Sequence, residues 1–380
     1  MINLKEWAAI CLQRFFGLFP VDNEKIFSLN YYGKGYGDNG KYVCDVVVKK
    51  FPKVKIIWPI KGDCELGEAP SNVEAVRYYS IPFFFHLATS KVWISNARMP
   101  SYFRKRKSQY YIQMWHGSIA LKQVEADAGT SLIPGYIRGA KNDSRMADLF
   151  ISNSKYWSEL IRKSFWYEGP ILECGVPRLD VLYHSYADRN ALKDKLGIKA
   201  KKVLLYAPTF RADMSVDCYS VDYERLKKTL FEATKEEWNI CVRLHPSAVG
   251  AGVKLPQTDG VLDFSLYPDM YELMQVTDLL ITDYSSTMFE AAFSGIPVIL
   301  FATDISEYNK DRKFYFNIRE LPFPLTETND ELMSAIRTWN NNDYLEKVEE
   351  FKRQLGVVKG GNAASQVAEV IIKQLNTKKG

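Results

Sequence analysis

Leu279-Leu-Ile-Thr-Asp-Tyr-Ser-Ser-Thr-Met-Phe-Glu290 reads as a buried strand, a turn and a helix start in direct succession. Leu279–Thr282 is a short apolar run of the kind found inside a parallel sheet. Asp283 turns the chain, and Ser285, Ser286 and Thr287 open a helix that carries Glu290 on its first turns. Backbone N–H groups at a helix start, joined by hydroxyls, form an anion site. A helix cap needs one hydroxyl; three in a row exceed that need and point to phosphate. Glu290 is then placed either to accept hydrogen bonds from ribose hydroxyls or simply to be solvated.

The same strand-then-helix alternation extends in both directions. Upstream of the quoted stretch, Lys202–Tyr206, Asn239–Leu244 and Val261–Asp263 read as strands, and downstream Val298–Phe301 does. Earlier still come Lys25–Leu29, Val54–Trp58, Lys91–Ser95, Tyr110–Met114 and Asp148–Ser152, with helical patterns such as Asp38–Lys50 and Ser154–Ser164 between them. Alternation of this kind predicts an α/β fold of mainly parallel sheets covered by helices. A charged helical stretch at Ala187–Leu196 separates two such series. The expected organisation is an N-terminal domain over 1–188, a second doubly wound domain over 189–362, and a terminal helix within 363–380 that returns to the first. Ligands of such sheets sit beyond the carboxyl ends of the strands, and clefts between domains are preferred places for them.

Composition agrees with a globular chain of two domains: 380 residues, 47% hydrophobic and 25% charged, with a net charge of only +5. The six cysteines (Cys11, Cys44, Cys64, Cys174, Cys218 and Cys241) form no C-x-x-C pair. They read as reduced thiols, with neither a disulfide framework nor a zinc site. No acidic pair suggests a metal site, so neither metal nor cofactor is expected.

The N-terminus is expected to form an amphipathic helix over Asn3–Phe19, with Asn3 and Glu6 as a capping box and Pro20 after its end. The layout is not that of a secretory signal. Its apolar residues either dock on the domain or lie in a membrane interface. A basic cluster, Arg98 and Arg104–Lys107, carries Tyr102 and Phe103 with it. It is a solvated face or, beside anionic lipid, a source of about 1 kcal/mol of attraction per cation. Nucleic-acid binding ranks last, because no recognised motif accompanies the cluster.

Two of the four histidines stand directly after expected strands: His116 in Gln113-Met-Trp-His-Gly117 and His245 in Arg243-Leu-His-Pro246. An imidazole is the natural general base near neutrality, and Gly117 permits close approach of a substrate. Arg243 and His245, two apart on one strand face, are read as reaching one anion. His86 follows Phe83–Phe85 and reads as a core residue, while His184 stands alone. Tyr206-Ala-Pro-Thr-Phe-Arg211 and Gly175-Val-Pro-Arg-Leu-Asp180 contribute Arg211 and Arg178. Gly33-Lys-Gly-Tyr-Gly37 lacks full dinucleotide-loop spacing, and Asp38–Asn39 reads as an ordinary helix start.

Taken in order, Arg104–Gly117, Gly175–Asp180, Tyr206–Arg211, Arg243–Pro246 and Thr282–Ser286 resemble the CDP-glycerol glycerophosphotransferase family, over about residues 24–320. The resemblance implies a GT-B-type fold, two Rossmann-like domains facing a central cleft with the donor held mostly by the second. It implies in-line attack of an acceptor hydroxyl on the phosphorus next to glycerol, with release of CMP and His116 as base. It places His116, Gly117, Ser118, Ile119, Ala120, Arg178, Pro208, Thr209, Arg243, Leu244, His245, Ser285, Ser286 and Glu290 at positions that hold CDP-glycerol; Arg211 joins them as a charge-neutralising group. It further implies a lipid-linked saccharide or polysaccharide acceptor of teichoic-acid or capsule synthesis, at the cytoplasmic face of the membrane. Two departures, Ser118-Ile-Ala-Leu-Lys122 after the Trp-His-Gly motif and Glu290 where the family often has Asp, leave CDP-ribitol open as the donor. The chain's length favours addition of one unit over polymerisation. The rival readings are a nucleotide-sugar glycosyltransferase or epimerase of the same architecture, and a non-enzymatic membrane scaffold.

Overall fold

A computed structural model describes residues 4–184, 189–209, 211, 220–250, 255, 258–306 and 313–377. Asn3, Ala187, Phe210 and Cys218 lie outside the described residues. The chain forms two compact units: Met1–Gly117 with Val124–Asp180 and Gly356–Gly380, and Ser118–Gln123 with Val181–Leu355.

The first unit is built on a seven-stranded sheet. Its strands are β1 (Asp22–Leu29), β2 (Lys55–Ile60), β3 (Val73–Arg77), β4 (Ser90–Ser95), β5 (Tyr110–Gln113), β6 (Leu149–Ser152) and β7 (Ile171–Glu173). The order is β3-β2-β1-β4-β5-β6-β7, every pairing parallel. Side chains alternate across a strand, so successive residues feed opposite faces. Ile26, Ile56, Ile94 and Ile112 pack with Val43 and Val47 of the helix Asp38–Lys50 and with Val367 and Ile371 of the helix Ala363–Asn376. Phe27, Ile57, Trp93 and Tyr111 face the other way, onto Phe83, Phe84 and Leu87 of the helix Ile81–Thr89. Burial on both faces explains why these strands read as continuous apolar runs.

The N-terminal helix, Leu4–Phe16, lies on the helix Ile81–Thr89 through Ala9, Leu12 and Phe16, with the Phe16 and Phe85 rings 5.5 Å apart. Its outer side is apolar and open: Trp7 is 59% exposed and Leu18, just past its end, 82%. The basic stretch is tied to this helix. The Arg104 N–H donates to Gln13 Oε1 (3.0 Å) and Arg106 Nη1 donates to the Phe19 carbonyl (2.7 Å).

The second unit carries a six-stranded parallel sheet of order β10-β9-β8-β11-β12-β13. These are β8 (Lys202–Tyr206), β9 (Trp238–Val242), β10 (Val261–Asp263), β11 (Leu279–Thr282), β12 (Val298–Phe301) and β13 (Leu325–Thr326). Leu204, Ile240, Ile281 and Ile299 pack with Leu226 and Leu230 of the helix Tyr223–Thr234 and with Leu332 and Ile336 of the helix Asn329–Arg337.

The expected boundaries shift for physical reasons. The cut falls after Asp180, not 188, because Tyr183 and Arg189 already bond within the second unit, to the Phe293 carbonyl and to Asp278. Ser118–Gln123 joins that unit by backbone pairing, Tyr315 N–H to Leu121 O (2.8 Å) and Gln123 N–H to Lys313 O (3.0 Å). The first unit regains the chain at Gly356, where Lys155 N–H donates to the Gly356 carbonyl (3.1 Å). β9 also ends at Val242, so Arg243 and His245 lie beyond the strand and do not share one of its faces.

Candidate active site

Both sheets reverse their strand order once, between β1 and β4 and between β8 and β11. The crevice at the carboxyl ends of such a pair is where doubly wound folds bind ligands. The candidate residues gather at these two points.

In the first unit Asn96 follows β4 and His116 follows β5. His116 Nδ1 lies 2.7 Å from the Asn96 carbonyl oxygen. A carbonyl only accepts, so Nδ1 carries the proton and Nε2 keeps its lone pair. The Asn96 side chain is itself fixed, accepting from the Tyr31 N–H (3.0 Å) and donating to Asn30 (2.7 Å). The imidazole stacks on Trp115 at 4.3 Å and meets Tyr31 at 5.5 Å. Although His116 presents surface to solvent, loss of water around the ring pushes its pKa below the ordinary value, against the opposing pull of the Asn96 carbonyl and Asp38. Near neutrality the group is an unprotonated base.

The backbone around His116 is braced from two sides. Trp115 adopts φ +52, in the left-handed region. Its N–H donates to Gln113 Oε1 (2.9 Å), and its carbonyl accepts from Asn39 Nδ2 (3.0 Å). Arg178, 2% exposed, donates to the His116 carbonyl (3.0 Å) and pairs with Asp38 (3.1 Å). Arg178 is thus a brace of the His116 loop. Asp38 and Asn39 are not an ordinary helix start, because their side chains hold Arg178 and Trp115. Beneath the loop, Arg98 pairs with Glu125 (2.9 Å) and Asp143 (3.0 Å), all three buried, and its guanidinium lies 5.5 Å from the Trp115 ring.

In the second unit β11 runs into Asp283, whose carboxylate accepts from the Thr209 N–H (2.8 Å) and pairs with Arg211 (2.8 Å). Arg211 also pairs with Asp304 (2.6 Å) and donates to the Thr209 carbonyl (2.6 Å). With two carboxylates on one guanidinium, Arg211 props the Thr209–Asp283 corner and does not bring a net positive charge to a phosphate. Pro208 and Thr209 lie on that corner, directly after β8.

At the helix Thr287–Phe293, Ser285 Oγ accepts from the Thr287 N–H (3.3 Å), as a capping hydroxyl does, whereas the Ser286 hydroxyl makes no capping bond. Glu290 is 2% exposed, which overturns the solvated reading. Tyr271 donates to one of its oxygens (2.8 Å) and Ser118 to the other (3.4 Å). Ile119 is buried beside Ser118, and Leu244 is buried next to Arg243. Arg243 Nη2 donates to the Tyr267 carbonyl (3.1 Å), and its buried Nε has no acceptor among the described residues. His245 is exposed, and its carbonyl accepts from the Ala248 N–H (2.8 Å). Gly117 and Ala120 are half-buried. Among the described residues no His, Cys, Asp or Glu group is arranged to hold a metal ion, and no helix is long and apolar enough to cross a membrane.

Nothing in the sequence marks Asn96 or Tyr271, and Asn39 reads there only as part of a helix start. Asn96 acts through its main-chain carbonyl, which residue type does not reveal. Only the Asp38–Asn39 pair, two short polar residues after a glycine loop, gave any signal.

Comparison with known proteins adds an independent line. The profile of the CDP-Glycerol:Poly(glycerophosphate) glycerophosphotransferase family matches residues 11–373. A teichoic acid poly(glycerol phosphate) polymerase of Staphylococcus epidermidis is 32% identical over 90% of this chain, which spans 50% of that relative's length. One of the same description from Bacillus spizizenii is 30% identical, with 94% of each chain covered. The solved wall teichoic acid polymerase TagF superposes with a TM-score of 0.84 at 30% identity, covering 97% of this chain and 94% of that one.

Proposed function

The chain belongs to the CDP-Glycerol:Poly(glycerophosphate) glycerophosphotransferase family, a glycerophosphotransferase family of GT-B fold, and from that premise we propose that it moves glycerol phosphate from CDP-glycerol onto an acceptor hydroxyl in teichoic-acid synthesis. His116 Nε2 takes the proton of the acceptor hydroxyl. The freed oxygen attacks the phosphorus that bears glycerol, the bond from that phosphorus to the bridging oxygen breaks, and CMP leaves with the electron pair. The observation that carries this reading is the 2.7 Å contact from Nδ1 to the Asn96 carbonyl, which fixes the tautomer a base requires. Chain length does not favour single-unit addition, because a relative named as a polymerase is matched over 94% of its length.

The second unit supplies the donor contacts. Ser286, Thr209 and the half-buried guanidinium of Arg243 meet the diphosphate, and Glu290, oriented by Tyr271, takes ribose hydroxyls. Pro208, Leu244 and Ile119 shape the apolar wall, while His245 contributes a further N–H. The test is CMP release with product masses from CDP-glycerol and from CDP-ribitol, on the intact protein and on Arg243→Ala. Loss of a charged hydrogen bond is worth about 1.5–3 kcal/mol, or roughly ten- to hundredfold in donor affinity. Unchanged calorimetric affinity in the variant removes Arg243 from the donor site. Preference for CDP-ribitol overturns the choice of donor.

The acceptor is lipid-linked, and the protein binds the cytoplasmic membrane surface as a peripheral protein. Support comes from the open apolar side of the first helix, with Leu4, Trp7, Phe15 and Leu18 exposed, and from the basic stretch bonded to that helix. One apolar and one electrostatic signal together give stable attachment. Vesicles of phosphatidylserine and phosphatidylcholine should sediment the protein at low salt, with partial release as salt rises. Trp7→Ser with Leu18→Ser should abolish sedimentation. Absence of sedimentation by the intact protein at low salt removes the membrane surface from the proposal.

A further inference from the structure

The loop Tyr31–Gly37 has no part in the mechanism above, yet it lies against the base. Its backbone is pinned at several points. Gly33 N–H and Lys34 N–H both donate to the Asn30 carbonyl (2.9 Å), Asn30 Nδ2 donates to the Gly35 carbonyl (2.8 Å), and Trp58 Nε1 donates to the Lys34 carbonyl (3.2 Å). Two of its glycines are required. Gly33 has φ +108, and a Cβ on Gly35 would stand 2.8 Å from the Glu65 carbonyl oxygen. The loop is therefore a rigid platform for the side chains of Tyr31 and Lys34.

Tyr31 donates to Asp38 Oδ2 (3.1 Å), and the other oxygen of Asp38 pairs with Arg178. The Tyr31 ring stands 5.5 Å from the His116 ring on one side and 5.3 Å from the Lys34 ammonium on the other. Lys34 is exposed and has no carboxylate partner among the described residues. A charge seated on an aromatic ring but left without a counter-ion is suited to a mobile anion.

We propose that Lys34, seated on Tyr31, is the residue that recognises the phosphodiester of a poly(glycerol phosphate) acceptor, the class the family's name gives, beside the hydroxyl activated by His116. This rests on the reading of His116 as the base. In a glycerol phosphate unit the free terminal oxygen and the phosphorus are five bonds apart, about 6 Å end to end when bonds of ~1.5 Å zigzag along an extended chain. With the hydroxyl at His116, that phosphate falls over Tyr31, within reach of a flexible lysine. Lys34 is then a determinant of acceptor specificity that acts on substrate binding and takes no part in the chemistry.

The experiment compares two soluble acceptors, glycerol joined to an octyl tail through a phosphodiester and through an ether, with CMP release from CDP-glycerol as readout. The intact protein should prefer the phosphodiester. Lys34→Gln should lower that preference about three- to tenfold, through acceptor KM, as loss of a partly screened charge contact does. Lys34→Arg should retain it, and Lys53→Gln, an exposed lysine outside the loop, should match the intact protein. Equal use of the two acceptors by the intact protein, including no use of either, overturns the proposal. So does an unaltered preference in Lys34→Gln, or an effect on KM for CDP-glycerol alone. If His116→Ala turns over normally, the reading of the base has failed instead, a result separable from these.

Discussion

His116→Ala should lose transfer by about 10²–10⁴-fold while still binding CDP-glycerol. The loss should appear in kcat, because the imidazole meets the acceptor proton and the donor contacts reside elsewhere. Its pH signature follows from the site. The ring's pKa is pushed below the ordinary histidine value, chiefly by loss of water around it. The active form is the neutral one, so activity should hold through neutrality and fall only as pH drops below about 6.5, through the depressed pKa. Protonation would place a second N–H on the edge that must accept a proton. Removing the residue should remove this acid limb along with the rate. A variant that keeps near-normal CMP release with acceptor, or an intact protein whose acid limb lies above 6.5, excludes His116 as the base.

The interior strands legible in the sequence share one physical property, although the edge strand Val261–Asp263 also occurs at its expected bounds without it. Lys202–Tyr206, Leu279–Thr282 and Val298–Phe301 occur with the expected bounds. Each lies within its sheet, and burial on both faces demands an unbroken apolar run. Val73–Arg77, Ile171–Glu173 and Leu325–Thr326 were not anticipated. They are edge strands with one paired neighbour, and Glu74, Arg77 and Glu173 are exposed, so their pattern is diluted. Of the site, the strand-end positions of His116, Thr209 and Ser285 were visible because a sheet that binds at its carboxyl ends places chemistry there. The bracing was not. Asn39 reaches Trp115 across 76 residues of sequence, and Arg178 reaches Asp38 across 140. Such contacts arise from strand order, which no local pattern records. Arg211 shows the converse limit, since an arginine after a strand suits a phosphate until two carboxylates are found beside it.

Arg98→Ala should destabilise the first unit by about 3–5 kcal/mol, the cost of leaving buried carboxylates without their cation. Glu125 and Asp143 are 1% and 0% exposed at their side chains, and Arg98 is the cation paired to both. Ser144, Tyr111, Gln113 and the Met99 N–H complete the network. The Tyr111, Gln113 and Met99 donors to Asp143 remain in the variant but supply no compensating charge, and Ser144 Oγ loses the N–H it accepts from Arg98. Asp143 is already pushed above the ordinary carboxylate range by burial, even with Arg98 present, and losing the guanidinium should raise it further. A carboxyl whose folded pKa exceeds its unfolded one contributes stability that is present at low pH and lost as pH rises through the folded value. The deficit in Arg98→Ala should therefore be largest at pH 8 and shrink toward pH 5. Hydrogen exchange of the β4 and β5 amides reads this within the first unit, where global unfolding of a two-unit chain need not be two-state. The same change removes the cation beneath Trp115 and loosens the turn that presents His116. A deficit under about 1 kcal/mol, or one that does not shrink with acid, would mean that water or a local shift replaces the guanidinium.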